Sequence, residues 1–298
     1  MRLLATPSSP KYSFVLIDLS DGSTRKIPSD PREKDLGASS SRPPHRPFGF
    51  TWDSDWIYVA NRRNLCVYDK SLSFVDKVEG VFDDNTHQIA ILEDLIVATM
   101  TSNDAICFYS KSTHQCFYFS LKVFGFVKKL PLVKKERHHV NCVVVQGRFV
   151  YVNLHNRGQR KSQVLVLDMK SKKMVDIIEH QAYSSHGLGV EPGIYTTVDT
   201  GRTQDLVSKN KRLPFCPNPL SFCRGLAGER GTFFASHFRS SVRRFRGIGD
   251  STVEVIRDWS WIPSMAISLD GVGAINDLRI IDGPDSCHHN SVESPLCF

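Results

Sequence analysis

His87, Asn141, His186, Arg224 and Asn276 each stand at the head of a short apolar run, and Phe48 heads a sixth. Their neighbours add His139 ahead of Asn141 and Asp277 after Asn276. Imidazoles move protons near neutral pH and bind borderline metals. A guanidinium forks onto carboxylate or phosphate. Carboxamides offer a donor and an acceptor at once. These types support two chemistries. In the first, His87 and His186 act as acid and base on a small polar or anionic molecule, and Arg224 orients its charge. Asn141, Asn276, His139 and Asp277 then hold its polar groups. In the second, His87 and His186, with His139 or His237, hold one divalent ion such as Zn²⁺ or Fe²⁺. Asn141, Asn276 and Asp277 would complete an oxygen-richer sphere. Arg224 repels a cation unless a ligand anion lies between, so it weighs toward the first chemistry.

Residues this far apart meet only if the fold repeats. The repeat is visible. Short β-branched and aromatic runs recur between Gly, Asn, Asp and Ser, as in Trp56-Ile57-Tyr58-Val59-Ala60 and Phe149-Val150-Tyr151-Val152-Asn153. Such runs read as buried strands, and helical periodicity is scarce. Val143-Val144-Val145, Phe149 to Asn153, Val164 to Asp168 and Met174 to Ile178 follow one another across short turns. The same order recurs from Phe50 to Val78 and from Ile89 to Leu121. Four antiparallel strands at a spacing of roughly 40–55 residues describe a propeller blade.

Full units start near Phe48, His87, His139, His186 and Arg224. Tyr12 to Leu19 and Thr24 to Ile27 read as third and fourth strands, and Ala274 to Asp282 reads as a first strand. Joined, the two ends close a ring and remove its free edges. The expectation is an all-β, six-bladed β-propeller spanning residues 1–298. A seventh blade is the alternative, if Trp259 to Leu269 hides a degenerate unit. The first strand of each blade lines the channel, so the polar heads of those strands converge at one mouth. Polar groups crowded into a low-dielectric funnel need water, metal or ligand as partners.

Three segments depart from the repeat. Residues 28–47, rich in Pro and Ser, read as a flexible loop. Residues 122–138, carrying Lys128, Lys129, Lys134 and Lys135, read as a basic inter-blade loop. Residues 284–298, with Cys287, His288, His289 and Cys297, read as a weakly structured tail, or alternatively as the closing blade's second strand. The stretch Phe238 to Arg246 carries Arg239, Arg243, Arg244 and Arg246, which can shape the mouth or guard a sheet edge. Nucleic-acid binding is disfavoured, since no known module accompanies the charge.

The 298 residues are 41% hydrophobic and 23% charged, which excludes wholesale disorder. No apolar run approaches the roughly 20 residues of a membrane helix. Met1 to Pro7 is too short and too soon broken for a secretory signal, so the expected home is cytoplasmic. The net charge of +7 leaves room for anionic partners. The eight cysteines form no Cys-x-x-Cys pair and read as reduced thiols. By strand alternation Cys142 points away from the channel and Cys223 is the more accessible. No Gly-x-x-x-x-Gly-Lys-Ser/Thr loop, Gly-x-Ser-x-Gly elbow or His-Glu-x-x-His pair is present.

The units ending Val67-Tyr68-Asp69, Val166-Leu167-Asp168 and Leu16-Ile17-Asp18, with the polar ring, resemble six-bladed propellers related to gluconolactonases and strictosidine synthases, and NHL-type repeats. The resemblance covers most of the chain at the level of repeat form. Gluconolactonase-like enzymes imply a divalent metal at the mouth, held by Glu, Asn and Asp. Asn141 and Asn276 match the asparagines in kind, and Phe48 stands near the place of the acidic ligand. The expectation is a lyase- or hydrolase-type propeller with its substrate at the channel mouth. The competing expectation is a non-catalytic scaffold that docks a protein.

Overall fold

The computed structural model describes residues 1–34, 46–130, 137–191, 194–200, 205–208, 211–214, 221–229, 231–239, 246–257, 264–285 and 287. The chain begins with β1 (Arg2–Pro7), β2 (Tyr12–Asp18) and β3 (Thr24–Pro28). The first full blade is β4 (Pro47–Trp52), β5 (Ile57–Asn61), β6 (Asn64–Tyr68) and β7 (Phe74–Val78). The second is β8 (Thr86–Leu92), β9 (Leu95–Met100), β10 (Ala105–Ser110), β11 (Cys116–Ser120) and a fifth strand, β12 (Gly125–Val127). The third is β13 (Val140–Gln146), β14 (Phe149–Leu154), β15 (Gln163–Asp168) and β16 (Lys173–Glu179). The fourth is β17 (Ser185–Glu191), β18 (Ile194–Asp199), β19 (Asp205–Ser208) and β20 (Lys211–Pro214). The fifth is β21 (Phe222–Glu229), β22 (Thr232–Phe238), β23 (Ser251–Arg257) and β24 (Met265–Leu269). Finally β25 (Ile275–Ile280) pairs with β1, giving a closing blade in the order β25-β1-β2-β3. Six antiparallel sheets make a six-bladed propeller.

Three expectations change in detail. The closing blade takes its second strand from Arg2–Pro7, which pairs Leu3 with Ile280 and Leu4 with Leu16. Leu3, Leu4 and Ala5 are fully buried there, so the apolar start of the chain is core. Met265–Leu269 is the outer strand of the fifth blade, paired to β23, and does not belong to a seventh. Residues 125–127 of the basic segment add β12 to the second blade.

Other stretches of those segments are anchored. Pro31–Glu33 forms a 3-10 turn capped by Asp30. The buried Glu33 accepts from Ser13 Oγ at 2.6 Å and from the Asp30 amide at 2.7 Å. Asp285 is buried and accepts from the amides of Gly228, Ile280 and Cys287. Residues 35–45, 131–136, 286 and 288–298 of the expected loops and tail lie outside the described residues, as do Arg243, Arg244 and Cys216.

The core lies between blades. Val97, Phe108, Val143, Val152 and Leu165 join the second blade to the third. Ala5, Val15, Phe234, Val255 and Leu278 join the fifth to the closing blade. The innermost strands approach closely at the axis. A Cβ on Gly49 would meet the Gln88 Cα at 2.5 Å. Gly187 combines such a contact, 2.5 Å from Leu226 Cβ, with a φ of +68°. At both sites a larger side chain would push neighbouring blades apart.

A second repeat sits within the first. In each of the five full blades the pairing register of the innermost strand slips near its head, at Pro47/Phe50, Thr86/Ile89, Val140/Cys142, His186/Gly189 and Arg224/Leu226. A bulge puts extra residues on one strand and re-aims the side chain it carries. Hydroxyls on the second strand hold three of these bulges. Thr99 bonds the Gln88 carbonyl, Thr197 the Gly187 carbonyl and Ser236 the Arg224 carbonyl.

Candidate functional site

The bulged strand heads open into a funnel of about 370 Å³ at one mouth of the channel. That volume suits a small molecule. His87, His139, His186 and Arg224 all line it. So do two groups that strand counting missed, His155 and Arg46. Arg246, named from the basic stretch, lines it too, whereas Arg239 is exposed and lies outside the lining. No carboxylate is among the described lining residues.

The four imidazoles form a chain. Ring centroids lie 5.3 Å apart for His87 and His139, 4.6 Å for His139 and His155, and 4.9 Å for His155 and His186. His155 arrives from the far end of β14. The β13–β14 hairpin pairs Val140 with Leu154, which brings positions 139 and 155 side by side. The backbone works against preference to hold them: His139, Asn156 and Arg157 all have φ near +54°. Left-handed backbone at non-glycine residues is costly and gathers at functional sites.

Hydrogen bonds assign the ring protons. Arg224 Nη2 lies 2.6 Å from His87 Nδ1. A guanidinium can only donate, so Nδ1 accepts and neutral His87 carries its proton on Nε2. His186 is the reverse. Thr200 Oγ1 donates to the Ser184 carbonyl at 2.7 Å, so its lone pair faces His186 Nδ1 at 2.8 Å. Nδ1 therefore carries the proton, and Nε2 is a bare lone pair. His155 Nδ1 accepts from the Arg157 amide at 3.0 Å, which makes its Nε2 a donor. Burial, and after it the Arg224 charge, push both His87 and His186 well below the usual histidine range. Both are neutral near pH 7.

The aromatic wall holds the cations. Phe48 stacks on His87 at 5.5 Å, and Arg46 lies over Phe48 at 5.0 Å. Arg246 lies over the Phe222 ring at 3.5 Å, and Phe222 meets His186 edge-on at 5.9 Å. Guanidinium–ring stacking orients each charge.

The remaining predicted residues sit lower or elsewhere. Asn276 Oδ1 accepts from Arg224 Nη1 at 3.0 Å, and its Nδ2 donates to the Pro47 carbonyl at 2.7 Å. Asn276 thus positions Arg224. Asn141 lines the throat beneath, where Nδ2 donates to the Ser185 carbonyl at 2.7 Å and Oδ1 accepts from Asn153 at 2.9 Å. Asp277 is fully buried below the ring and does not line the funnel. It accepts from Gln88 Nε2 at 2.8 Å and pairs with Arg279 at 3.1 Å. His237 pairs with Glu254 at 2.9 Å, away from the mouth.

The throat itself offers about 10 Å³, room for a single water. Cys142 lines it, and its Sγ accepts from the Gly187 amide at 3.0 Å. Cys223 instead is fully buried between the fourth and fifth blades. This reverses the alternation argument, because the bulge at Val140/Cys142 shifts the strand's facing by one residue. Burial pushes the Cys142 thiol up to about 12, so it is no nucleophile.

A metal finds partial support. One nitrogen each of His87, His139 and His186 lies within 4.8 Å of the others. The donor set is nonetheless compromised, since Arg224 occupies the His87 Nδ1 lone pair. The amide oxygens of Asn141 and Asn276 already accept hydrogen bonds, and Asp277 lies outside the lining. The oxygen-ligated metal that the gluconolactonase resemblance implies does not fit these residues.

Comparisons with known proteins bear on the fold. No family model matches the chain, and no curated protein does. Among solved structures, a chain of a nidogen/laminin complex superposes with a TM-score of 0.65 at 10% identity, covering 93% of this chain and 97% of that one. A protein of unknown function from Bacteroides caccae gives 0.59 at 11% identity, with 93% and 97% covered. Kuenenia stuttgartiensis hydrazine synthase gives 0.50 at 13% identity, with 84% and 77% covered. At such identities the likeness is one of fold. Among the described residues no helix is long and apolar enough to cross a membrane.

Proposed function

We propose that the funnel binds a small organic anion and moves protons on it, in lyase- or hydrolase-type chemistry. The observation that carries this reading is the opposed protonation of His87 and His186 above one arginine. His186 Nε2 presents a lone pair, and His87 Nε2 presents a proton. Two imidazoles whose surroundings assign them different roles form an acid–base pair.

In the lyase form, His186 Nε2 takes a proton from the carbon beside the substrate's carboxylate. Arg224 and Arg246 stabilise the negative charge that develops on the carboxylate oxygens. His87 Nε2 gives its proton to the departing oxygen. In the hydrolase form, His186 takes the proton of an attacking water and His87 again protonates the leaving group. Neither form assigns a step to a metal. The gluconolactonase resemblance favours the hydrolase form with a cyclic ester.

The test follows a panel of small carboxylates and lactones by proton NMR in D₂O. Wild-type protein is expected to exchange the proton beside a carboxylate, or to open a lactone, and His186→Asn to do neither while still binding. A panel untouched by wild-type protein overturns the reading and leaves the protein-docking scaffold in its place.

A further inference from the structure

The charge of the funnel says more about its ligand than the presence of one arginine does. His87 enters from the head of β8, His139 from the connection before β13 and His155 from the end of β14. His186 enters from β17, Arg224 from β21, Arg46 from the connection before β4, and Arg246 from the connection before β23. From the closing blade Asn276 bonds Arg224 from below and Ser8 bonds Asn276, and neither titrates near neutrality. The charged groups that act most strongly on His87 are Arg224, His139, His186 and Arg46. On His186 they are Arg224, His155 and His139. All are cations or become cations.

Burial first, and these positive neighbours after it, hold His87 and His186 neutral. A ligand with one negative charge offsets one guanidinium and leaves the others acting on the rings. A ligand with two or three negative charges reverses the field at the imidazoles. At His87, whose neighbours are Arg224 and Arg46, the charged form then gains against the neutral one. Protonated His87 would also exchange its contact with Arg224 for one with the ligand, since both groups then donate.

Resting on the small-anion reading above, we infer that the funnel is built for an anion carrying two or more negative charges and takes up a proton as it binds. Di- and tricarboxylates and phosphate monoesters share this chemistry. The Arg46–Phe48 and Arg246–Phe222 stacks place guanidiniums on two sides of the mouth. Arg46, Arg246 and Arg224 all line this one funnel.

The experiment is isothermal titration of the full chain with acetate, citrate and inorganic phosphate at fixed ionic strength. Each is run in two buffers of different ionisation enthalpy. Histidine ring resonances are followed in parallel to locate binding. Citrate, phosphate or both are expected to bind at least about 100-fold tighter than acetate, with uptake of about one proton near neutral pH. The stronger of the two identifies a polycarboxylate or a phosphoryl ligand. Arg224→Gln is expected to lower both the charge preference and the proton uptake. Acetate binding as tightly as the polyanions, or polyanion binding without proton uptake, overturns this inference and leaves the small-anion reading intact. If no anion moves the His87 and His186 resonances, both readings fall.

Discussion

Replacing Arg224 with glutamine puts the electrostatics of the funnel to the test. In the native protein Nη2 donates to His87 Nδ1 at 2.6 Å and Nη1 donates to Asn276 Oδ1 at 3.0 Å. Glutamine is neutral and shorter, so it cannot meet an anion from the same floor. A hydrogen bond to a charged group contributes roughly 1.5–3 kcal/mol. At tenfold per 1.4 kcal/mol, citrate affinity should fall by about 10- to 150-fold. Stability should respond far less. The bonds to His87 and Asn276 are lost at roughly 1.5–3 kcal/mol each, but glutamine's amide can donate to one of these partners, and relief of the repulsion among clustered cations offsets part of the rest. The expected net change is under about 2 kcal/mol. Isothermal titration with citrate gives the first quantity and urea denaturation the second. Affinity within about twofold of wild type would refute the argument that Arg224 meets the ligand. A loss of about 4 kcal/mol or more in stability would make Arg224 a structural brace instead.

Thr200→Val removes the acceptor that keeps the His186 proton on Nδ1, leaving only the Ser184 carbonyl at 3.3 Å. Long-range ¹H–¹⁵N spectra should show an Nδ1-protonated ring in wild type and a mixture in the variant. An unchanged spectrum contradicts the assignment. Asp277→Asn breaks an ion pair whose partners are both fully buried. Urea denaturation should show a loss of roughly 3–5 kcal/mol, and a loss below about 1 kcal/mol would remove Asp277 from the wall's framework. Arg224→Met frees the His87 Nδ1 lone pair and removes a repelling charge, so Zn²⁺ affinity by competition titration should rise at least about tenfold; no rise would mean that Arg224 is not what bars a cation. Burial pulls His180 down to about 4 from an unfolded value of 6.5. Between those values the unfolded chain binds the extra proton, so His180 makes stability rise with pH in that window. His180→Phe should flatten the stability profile there by about one proton, and an unaltered slope contradicts it.

The architecture was legible because it repeats. The blade starts read near Phe48, His87, His139, His186 and Arg224 all lie within two residues of the strands β4, β8, β13, β17 and β21. The second strand of the closing blade was not legible because the inner strand that Arg2–Pro7 joins, β25, lies some 270 residues away. The site was partly legible. His87, His139, His186 and Arg224 do meet at one mouth. Strand counting aligned Asn141 and Asn276 with that ring, with Asp277 beside it; Asn141 and Asn276 line the throat beneath the funnel, and Asp277 is buried. The bulges of β8, β17 and β21 had a sequence signal in the hydroxyls Thr99, Thr197 and Ser236, which recur at the same place in second strands. His155 lies just past the end of a second strand, outside the ring that first strands define. A hairpin that places His139 at one end places residue 155 opposite, so the pairing alone would have found it. Arg46 lies outside the repeat and left no such trace.

A crystal soaked in sodium selenate and measured at the selenium edge tests the anion site most directly. The expected result is an anomalous peak in the funnel, within about 4 Å of an Arg224 Nη atom and of His87 or His186 Nε2. Selenate bound only at outer lysines, beside a funnel that holds none, would contradict an anion site at the channel mouth.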